Sequence, residues 1–362
     1  MRIAYIINSL EGGGAAFPVP SILSLMRDYG AEVKVFALTQ KNGKALPAIH
    51  KANIPVSIRE GGIKDHFQTL LWLNQQIRNY KPTHLWTSLT RATLLGQLVG
   101  LRHNIPVISW QHAAYLKPWN LRLLKTTRSF SKLWLGDSQR VTQFTQQRLH
   151  IPKEKIMTWP IFKANPNVLK AKVCQSDHTV KIVSMGRLHP VKGYDILIQA
   201  CHLLNQYSNV PAYHISIYGE GIEYKNLYNL IHQYQLQNHI ELRGFTSCVA
   251  QTLSQYNLYV QPSRSEGFCV AAHEAMQAGL PVVASAVGEL PFTIENHKSG
   301  LTISPENPSA LADALYKLLL QPQDLYAMGQ LARETVITQF STKHFNTIGF
   351  EVFNRMQSFT ST

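Results

Sequence analysis

The stretch YVQPSRSEGFCVAAHEAMQAGLPVVA, residues 259–284, contains the parts of one folding unit in order. Apolar residues at its start predict the end of a buried strand, Glu266-Gly267 predicts a turn, and 270–278 has the composition of a helix. Gly279 and Pro281 then give the usual signal for a helix end, and a further apolar run follows. The order strand, turn, helix, strand predicts a βαβ unit on a parallel sheet.

The same order recurs on both sides of this stretch, with a glycine-rich turn at Gly12-Gly13-Gly14 after the first apolar run. Helices are predicted at 17–29, 67–79, 141–149, 194–204 and 227–234. Strands are predicted at 2–7, 32–38, 84–87, 107–110, 132–135, 181–185, 214–218, 240–242, 258–260 and 281–284. The simplest interpretation is an α/β protein with two doubly wound, Rossmann-like sheets in tandem.

Prolines and asparagines between Pro152 and Asn167 predict the connector between two domains. The first domain is predicted at 1–165 and the second at 166–344, and a chain of 362 residues exceeds what one core usually supports. From Pro308 onward apolar residues recur at helical spacing, and a last helix at about 345–362 is expected to pack back on the first domain. Because open α/β sheets bind ligands at the carboxyl ends of their strands, we expect two such edges to face a central cleft.

Composition restricts the class of protein and the compartment. Hydrophobic residues at 45% and charged residues at 15% are typical of a folded enzyme. No apolar run reaches the roughly 18 residues of a membrane span, and the first run is too short for a signal peptide, so we expect a cytoplasmic protein. Four scattered cysteines (Cys174, Cys201, Cys248, Cys269) without CxxC spacing predict reduced thiols and no zinc site.

The net charge of +14 is distributed unevenly. Residues 1–165 carry 22 Lys and Arg against 7 Asp and Glu, whereas residues 166–362 carry 13 against 14. A basic half is expected to face nucleic acid, anionic lipid or a phosphorylated substrate, and charge alone does not choose among these.

Two motifs in the second half predict a phosphate site. The amides of Gly267, Phe268 and Cys269 stand at a predicted helix N-terminus, which favours an anion, and Glu274 one turn later could accept hydrogen bonds from hydroxyls. In the loop 184–193, Arg187 and Lys192 offer a forked and a point-charge contact to phosphate oxygens. Taken alone, the two carboxylates also fit a helix-start acid and a solvated helix residue.

Glu266 and Glu274 with seven residues between them, followed by AGLPVVA at 278–284, resemble the signature of the retaining GT-B glycosyltransferases of family four. The loop with Arg187 and Lys192 is similar to the loop that holds the donor diphosphate in that family. The turns at 218–221 and 242–245, with Gly219 and Phe245, match family turns that line the nucleotide pocket. The resemblance covers nearly all of 181–300.

The resemblance implies transfer of a sugar from a nucleoside-diphosphate sugar, with UDP favoured as the nucleotide, to an acceptor hydroxyl with retention. It assigns the acceptor to the first domain and the donor to the second. Glu266 would contact the sugar hydroxyls and Glu274 the ribose. Arg187, Lys192 and the amides from Gly267 to Val270 would stabilise the leaving diphosphate, so neither a metal nor another cofactor is expected, and the chain has no DxD pair.

The first half matches the family more loosely. Gly13 and Gly14 occupy the place of the glycine-rich loop that approaches the donor phosphate or the acceptor, although AAFPVP at 15–20 replaces the usual polar residues. The loop is not GxGxxG, which argues against a dinucleotide enzyme. His112, after a strand end, is expected to reach the transferred sugar, whereas Asp137 fits a strand end with a direct catalytic role less favoured.

The segment 120–132 has cations at 122, 125, 128 and 132 and apolar residues at 121, 123, 124 and 130. Such a segment suits an anionic membrane, and with it a lipid-linked or lipopolysaccharide-type acceptor at the inner membrane face, or it is a solvated helix face. No nucleic-acid-binding module is found, so no nucleic-acid partner is expected. A sugar-nucleotide epimerase of the same architecture and a catalytically silent sugar-nucleotide binder remain the alternatives.

Overall fold

The computed structural model describes residues 1–113, 115–172 and 179–359. It divides into two compact units, the first formed by Met1–Lys163 with the residues from Lys343 onward, and the second by Ala164–Thr342. Among the residues described, none of the helices has the length and apolar character needed to cross a bilayer. Cys201, Cys248 and Cys269 are free thiols, and Cys174 lies outside the described residues.

Unit 1 contains a seven-stranded, fully parallel sheet with the strand order β3-β2-β1-β4-β5-β6-β7. The strands are β1 Arg2–Ile7, β2 Glu32–Ala37, β3 Val56–Ile58, β4 His84–Ser88, β5 Val107–Gln111, β6 Leu133–Gly136 and β7 Ile156–Thr158. Tyr5 in the central strand stands opposite Val35 on one side and Trp86 on the other. The order reverses at β1, as in doubly wound folds, so the carboxyl ends of β1 and β4 form a switch point.

The helices of unit 1 are α1 Val19–Asp28, α2 Leu46–Lys51, α3 His66–Tyr80, α4 Thr90–His103, α5 Pro118–Thr127, α6 Gln139–Leu149 and α14 Thr342–Gln357. Ser138 caps α6, accepting a hydrogen bond from the Val141 amide at 3.1 Å. α14 is held by buried Phe345, whose carbonyl accepts a hydrogen bond from Trp159 Nε1 at 3.1 Å. The chain end thus contributes to the core of the first unit.

The core of unit 1 is rich in indole rings. All six tryptophans of the chain lie between residues 72 and 159, and Trp86, Trp110, Trp134 and Trp159 are buried. Trp110 and Trp159 stack with ring centroids 5.1 Å apart, and Trp86 meets Trp110 edge-on at 5.5 Å. Large aromatic rings of this kind contribute much of the buried apolar area of a core.

Unit 2 contains a six-stranded parallel sheet with the order β10-β9-β8-β11-β12-β13. The strands are β8 Val180–Met185, β9 Tyr213–Tyr218, β10 Ile240–Gly244, β11 Leu258–Gln261, β12 Val282–Ser285 and β13 Gly300–Ile303. The helices are α7 Tyr194–Leu204, α8 Tyr224–Gln233, α9 Val249–Leu253, α10 Val270–Gln277, α11 Leu290–Thr293, α12 Pro308–Leu319 and α13 Asp324–Gln339. The prediction of two parallel α/β sheets is confirmed.

The basic segment 120–132 folds as α5 and the turn after it, and its leucines do not form an exposed apolar stripe. Leu124 is fully buried, and Leu121 packs against the same core cluster. The exposed side of α5 instead carries Trp119, Arg122 and Lys125, which follow one another at helical spacing. These two leucines therefore hold α5 against the core of unit 1, and the cations lie on its outer side.

Candidate functional site

The predicted donor residues of unit 2 lie on loops that follow four adjacent strands, β10, β9, β8 and β11. Backbone contacts fasten these loops together. The Gly219 amide donates to the Gly244 carbonyl at 2.7 Å, and Gly219 packs so closely on Gly186 that an added Cβ would lie 1.8 Å from its carbonyl oxygen. Only glycine permits this approach, which brings the loop with Arg187 beside the loop with Gly219.

A second close approach joins the loop after β8 to the loop after β11. Gly193 has φ of +65°, and an added Cβ would lie 2.1 Å from the Pro262 carbonyl oxygen. The Arg264 amide donates to the Val191 carbonyl at 2.9 Å, and its guanidinium holds both carboxylate oxygens of Asp195 at 2.8 and 2.6 Å. These contacts place Lys192 over the turn that carries Glu266.

Glu266 is the centre of a polar cluster formed with Lys192, Ser263 and Gln261. Its Oε1 accepts hydrogen bonds from Lys192 Nζ at 2.6 Å, Ser263 Oγ at 2.6 Å and Gln261 Nε2 at 3.4 Å. Tyr259 extends the cluster by donating to Gln261 Oε1 at 2.8 Å. Burial alone would lower the pKa of Lys192, but the attraction of Glu266 outweighs it and the pKa is raised. Lys192 is therefore charged at neutral pH.

Sequence reasoning missed the roles of Tyr259, Gln261 and Ser263. Two signals could have found them. Polar side chains at alternate positions 259, 261 and 263 share one face of an otherwise buried strand end. Ser263 and Glu266 also have the S-x-x-E spacing in which a hydroxyl and a carboxylate meet across a turn.

Glu274 lies on α10 in a different environment. Its side chain is partly buried, and no described residue donates a hydrogen bond to its carboxylate. Burial raises its pKa to about 7. The oxygens of the Glu274 carboxylate can therefore accept hydrogen bonds from a ligand.

The start of α10 presents backbone, because the side chains beside it point inward. Phe268 and Cys269 are buried, and the ring of Phe268 packs against His273 at a tilt of 31° with ring centroids 4.0 Å apart. Cys269 precedes the helix with φ of +67°, an unusual conformation for a residue with a side chain. The first N–H groups of α10, from Val270, therefore have no acceptor within the helix. Gly267, Phe268 and Cys269, whose amides the sequence predicts as an anion site, lie directly before α10.

The remaining predicted donor residues of unit 2 lie at the rim of these loops. Arg187 is exposed on the loop that carries Lys192. Phe245 follows β10 and is 44% exposed.

In unit 1, His112 follows β5 and lies between two polar partners. Its Nε2 is 2.8 Å from Ser88 Oγ, and its Nδ1 is 3.3 Å from Asp137 Oδ2. Burial raises the pKa of Asp137, whose other oxygen is buried without a described partner. Both ring nitrogens of His112 thus have protein partners, so contact with a sugar would require the Ser88 hydrogen bond to be exchanged.

The glycine loop of unit 1 is a turn in which the Gly13 carbonyl accepts hydrogen bonds from the Ala16 and Phe17 amides, both at 3.1 Å. An added Cβ at Gly13 would meet nothing within 4 Å, and Gly14 is exposed. Nothing within unit 1 requires glycine at position 13. Among the residues described in both units, no group of three or more His, Cys, Asp or Glu side chains is placed to hold a metal ion.

Two parallel α/β units, with charged loops at the strand ends of the second, have the architecture of the GT-B fold. Residues 169–335, which lie within unit 2, match the family described as Glycosyl transferases group 1. This match and the names of the similar proteins support a transferase enzyme.

Similar proteins are found by sequence and by structure. An uncharacterized glycosyltransferase of Haemophilus influenzae is 25% identical over 91% of this chain and 93% of its own length. The putative colanic acid biosynthesis glycosyltransferase WcaL of Escherichia coli is 28% identical over 70% of this chain and 63% of its own length. The crystal structure of Anabaena Alr3699/HepE in complex with UDP-glucose matches 98% of this chain and 100% of its own, with a TM-score of 0.86 at 20% identity.

Proposed function

We propose that this protein transfers a sugar, with retention at the anomeric carbon, from a UDP-sugar to a glycan or lipid-linked acceptor in cell-surface polysaccharide or lipopolysaccharide synthesis. The observation that carries the proposal is the Lys192–Glu266 pair at the carboxyl ends of the unit 2 strands. The names of two similar proteins support it, one being linked to colanic acid synthesis and the other bound to UDP-glucose.

The leaving diphosphate is stabilised by Lys192, Arg187 and the amides at the start of α10. Lys192 is held in place by Glu266, and α10 directs the positive end of its dipole toward the loop. Preorganised donors of this kind each contribute roughly 3 to 4 kcal/mol to transition-state stabilisation in comparable anion holes. The departing phosphate oxygen then takes the proton of the acceptor hydroxyl on the same face of the sugar.

Glu266 binds the hydroxyls of the transferred sugar. The hydrogen bonds from Lys192, Ser263 and Gln261 all reach its Oε1, so Oε2 is the oxygen that we assign to the sugar. Glu274 accepts the ribose hydroxyls, because its carboxylate has no described donor of its own. His112, Gly13 and Gly14 belong to unit 1, and we assign them to the acceptor and the sugar it receives.

We propose that the reaction needs no metal ion, because the cationic groups of the loop after β8 neutralise the charge that develops on the diphosphate. Turnover is expected to be equal in excess magnesium and in excess chelator. A loss of turnover in chelator that magnesium restores would contradict this part of the proposal.

The test is release of nucleoside diphosphate from UDP-, GDP- and ADP-sugars, with and without membrane extract. Native protein is compared with Lys192→Ala, Glu274→Ala and the matched control Lys317→Ala, a lysine exposed on α12. The expected result is release from a UDP-sugar that the extract increases, that both site variants lose, and that the control keeps.

The same assay separates the two alternatives. A silent binder would bind the nucleotides without releasing any product. An epimerase would change the sugar while leaving it on the nucleotide, without dependence on the extract, and chromatography of the recovered sugar nucleotide detects that product.

We also propose that unit 1 contacts an anionic membrane through the outer side of α3, α4 and α5, which pack side by side. Residues 66–136 contain nine Lys or Arg and no Asp or Glu. Exposed apolar side chains accompany these cations on each helix, with Phe67 68%, Leu101 62% and Trp119 66% exposed. Cations beside exposed aromatic rings suit the headgroup region of a bilayer better than a simple solvated surface does.

Sedimentation with vesicles at low salt tests this contact. We expect retention on vesicles containing phosphatidylglycerol, little on pure phosphatidylcholine, and loss of retention in the double variant Trp119→Ser and Arg122→Ser. Ile222→Ser, an exposed apolar residue of unit 2, is the control. Equal retention on the two kinds of vesicle would contradict the contact.

A further inference from the structure

A second cluster of charged side chains lies in unit 1 and plays no part in the assignments above. Arg59 and Arg91 converge on Asp65, which pairs with Arg59 Nη2 and accepts a hydrogen bond from Arg91 Nη2 at 3.2 Å. Arg91 Nη2 also donates to Thr69 Oγ1 at 2.6 Å. The side chains of both arginines are largely buried, with 8% of Arg59 and 13% of Arg91 exposed.

The charges in this cluster do not balance. Two guanidinium groups face one carboxylate, and two of their N–H donors, Arg59 Nη1 and Arg91 Nε, are buried without a hydrogen-bond partner among the described residues. The pKa of Arg91 is lowered by burial and by the charge of Arg59, although Asp65 opposes the change. The hydrogen bond from Arg59 lowers the pKa of Asp65 to about 2, as expected in a positive environment. An unpaired buried charge and unpaired buried donors are costly unless a ligand completes them.

The position of the cluster is one that α/β sheets use for ligands. Arg59 directly follows β3, and Arg91 lies in the first turn of α4, which follows β4. Both are therefore at the carboxyl edge of the sheet.

The segment over the guanidinium of Arg59 is held weakly. Gly61 packs on Arg59 so closely that an added Cβ would lie 2.4 Å from Nη1. The exposed residues Gly61 and Gly62 are fastened through their carbonyls by Thr39 Oγ1 at 3.3 Å and Arg91 Nη1 at 3.5 Å. These bonds are long, so an anion with stronger acceptor oxygens can take the place of the Gly62 carbonyl.

We propose that Arg59 and Arg91 form a binding site for a phosphate group, held by forked hydrogen bonds from both guanidinium groups and oriented by Asp65. The two guanidinium groups together have more N–H donors than the two oxygens of one carboxylate can accept. A phosphate group has enough oxygens to accept hydrogen bonds from both guanidinium groups. The phosphate belongs to the acceptor of the transfer reaction, and this part of the inference rests on the proposed function.

Binding is measured by calorimetry with inorganic phosphate against chloride at constant ionic strength, in the Lys192→Ala background, which weakens phosphate binding at the donor site. Arg59→Lys keeps the charge but loses the fork, and Arg91→Gln removes a charge. Arg78→Gln, an exposed cation on α3, is the control. We expect saturable phosphate binding that each site variant weakens about tenfold and that the control leaves unchanged.

Amide hydrogen exchange of the native protein provides a second test, which does not depend on whether the variants fold. Phosphate is expected to change the amide hydrogen exchange of residues 59–65, because it displaces the Gly62 carbonyl. Identical heats in phosphate and chloride, or phosphate binding unaffected by Arg59→Lys and Arg91→Gln alike, would overturn the site.

Steady-state kinetics distinguish a phosphate group that belongs to the acceptor from free inorganic phosphate. If the group belongs to the acceptor, Arg59→Lys raises the acceptor KM and leaves the donor KM unchanged, and inorganic phosphate competes with the acceptor. If phosphate binds but neither KM changes, the assignment to the acceptor is wrong. If the native protein turns over no donor at all, the proposed function is contradicted. The calorimetric evidence for the phosphate site would still hold.

Discussion

At the scale of single residues, the carboxylate of Glu266 depends on its three neighbours to remain fixed. Lys192 supplies the charge, while Ser263 and Gln261 fix the orientation of the same oxygen. A buried carboxylate that loses its cation is left only partly compensated, so the two groups act together.

Lys192→Ala is expected to weaken UDP binding by about 1.5 to 3 kcal/mol, since it removes one charge-assisted contact with the diphosphate. Turnover should fall about a hundredfold or more, because the contact strengthens as the leaving group gains charge. Calorimetry with UDP and turnover at saturating donor measure the two effects. Equal losses in Lys317→Ala would contradict a local role.

Glu274 gives a prediction about stability and pH. Its pKa in the folded protein, about 7, is above the ordinary value of 4.5, so the folded state binds the proton more tightly than the unfolded state. Between these two values the free energy of unfolding therefore falls as pH rises, by at most about 3 kcal/mol.

Glu274→Gln removes this pH-dependent cost. The variant is expected to match the native protein near pH 5 and to be more stable at pH 8 by about 1 to 3 kcal/mol, while losing donor binding. Urea unfolding at the two pH values measures the difference. A variant that is no more stable at pH 8 than at pH 5, relative to native, would show that Glu274 is not strained by burial.

At the scale of elements, the site depends on how tightly the strand-end loops of unit 2 pack. Gly193 and Gly244 both have positive φ, +65° and +71°, but their surroundings differ. A Cβ at Gly193 would collide with the Pro262 carbonyl oxygen, whereas a Cβ at Gly244 would meet nothing within 4 Å.

This contrast separates backbone strain from packing. Gly244→Ala is expected to cost about 1 kcal/mol of stability, which is the penalty of the left-handed conformation alone. Gly193→Ala should cost about 3 kcal/mol or more and weaken UDP binding, since the loop with Lys192 must move away from Pro262. Urea unfolding and UDP calorimetry on both variants measure this, and equal costs would show that the close approach does not matter.

The sequence predicted the strand, turn and helix around Glu266 because glycine, proline and apolar periodicity are local signals. It did not predict β3 or β7, which have only three residues each and depend on neighbouring strands. The burial of Leu124 and the contacts of Ser263 and Gln261 were also missed. These depend on which side of an element meets the sheet, a tertiary choice that local composition does not fix.

At the scale of the whole molecule, the last helix of the chain completes the first unit. Phe345, Val352, Phe353 and Met356 of α14 are buried, and His84 Nε2 lies 2.9 Å from the Met356 carbonyl. A core assembled from segments this distant in sequence can form only after both segments have been synthesised.

Phe345→Ala is expected to destabilise unit 1 by about 3 to 5 kcal/mol, because it leaves a cavity beside Trp159. Glu351→Ala, an exposed position on the same helix, should change stability by less than about 0.5 kcal/mol. Urea unfolding followed by circular dichroism measures both. A small effect of Phe345→Ala would show that α14 only covers the unit without supporting it.

The placement of every tryptophan in unit 1 also makes the protein its own optical reporter. Indole fluorescence, selectively excited, follows the unfolding of unit 1 alone, while unit 2 contributes tyrosine emission only. A single added indole, Phe245→Trp, would place a chromophore on the rim of the loops assigned to the donor, where Phe245 is already 44% exposed. The difference in emission between that variant and the native protein would then report the arrival of nucleotide at unit 2 without any attached label.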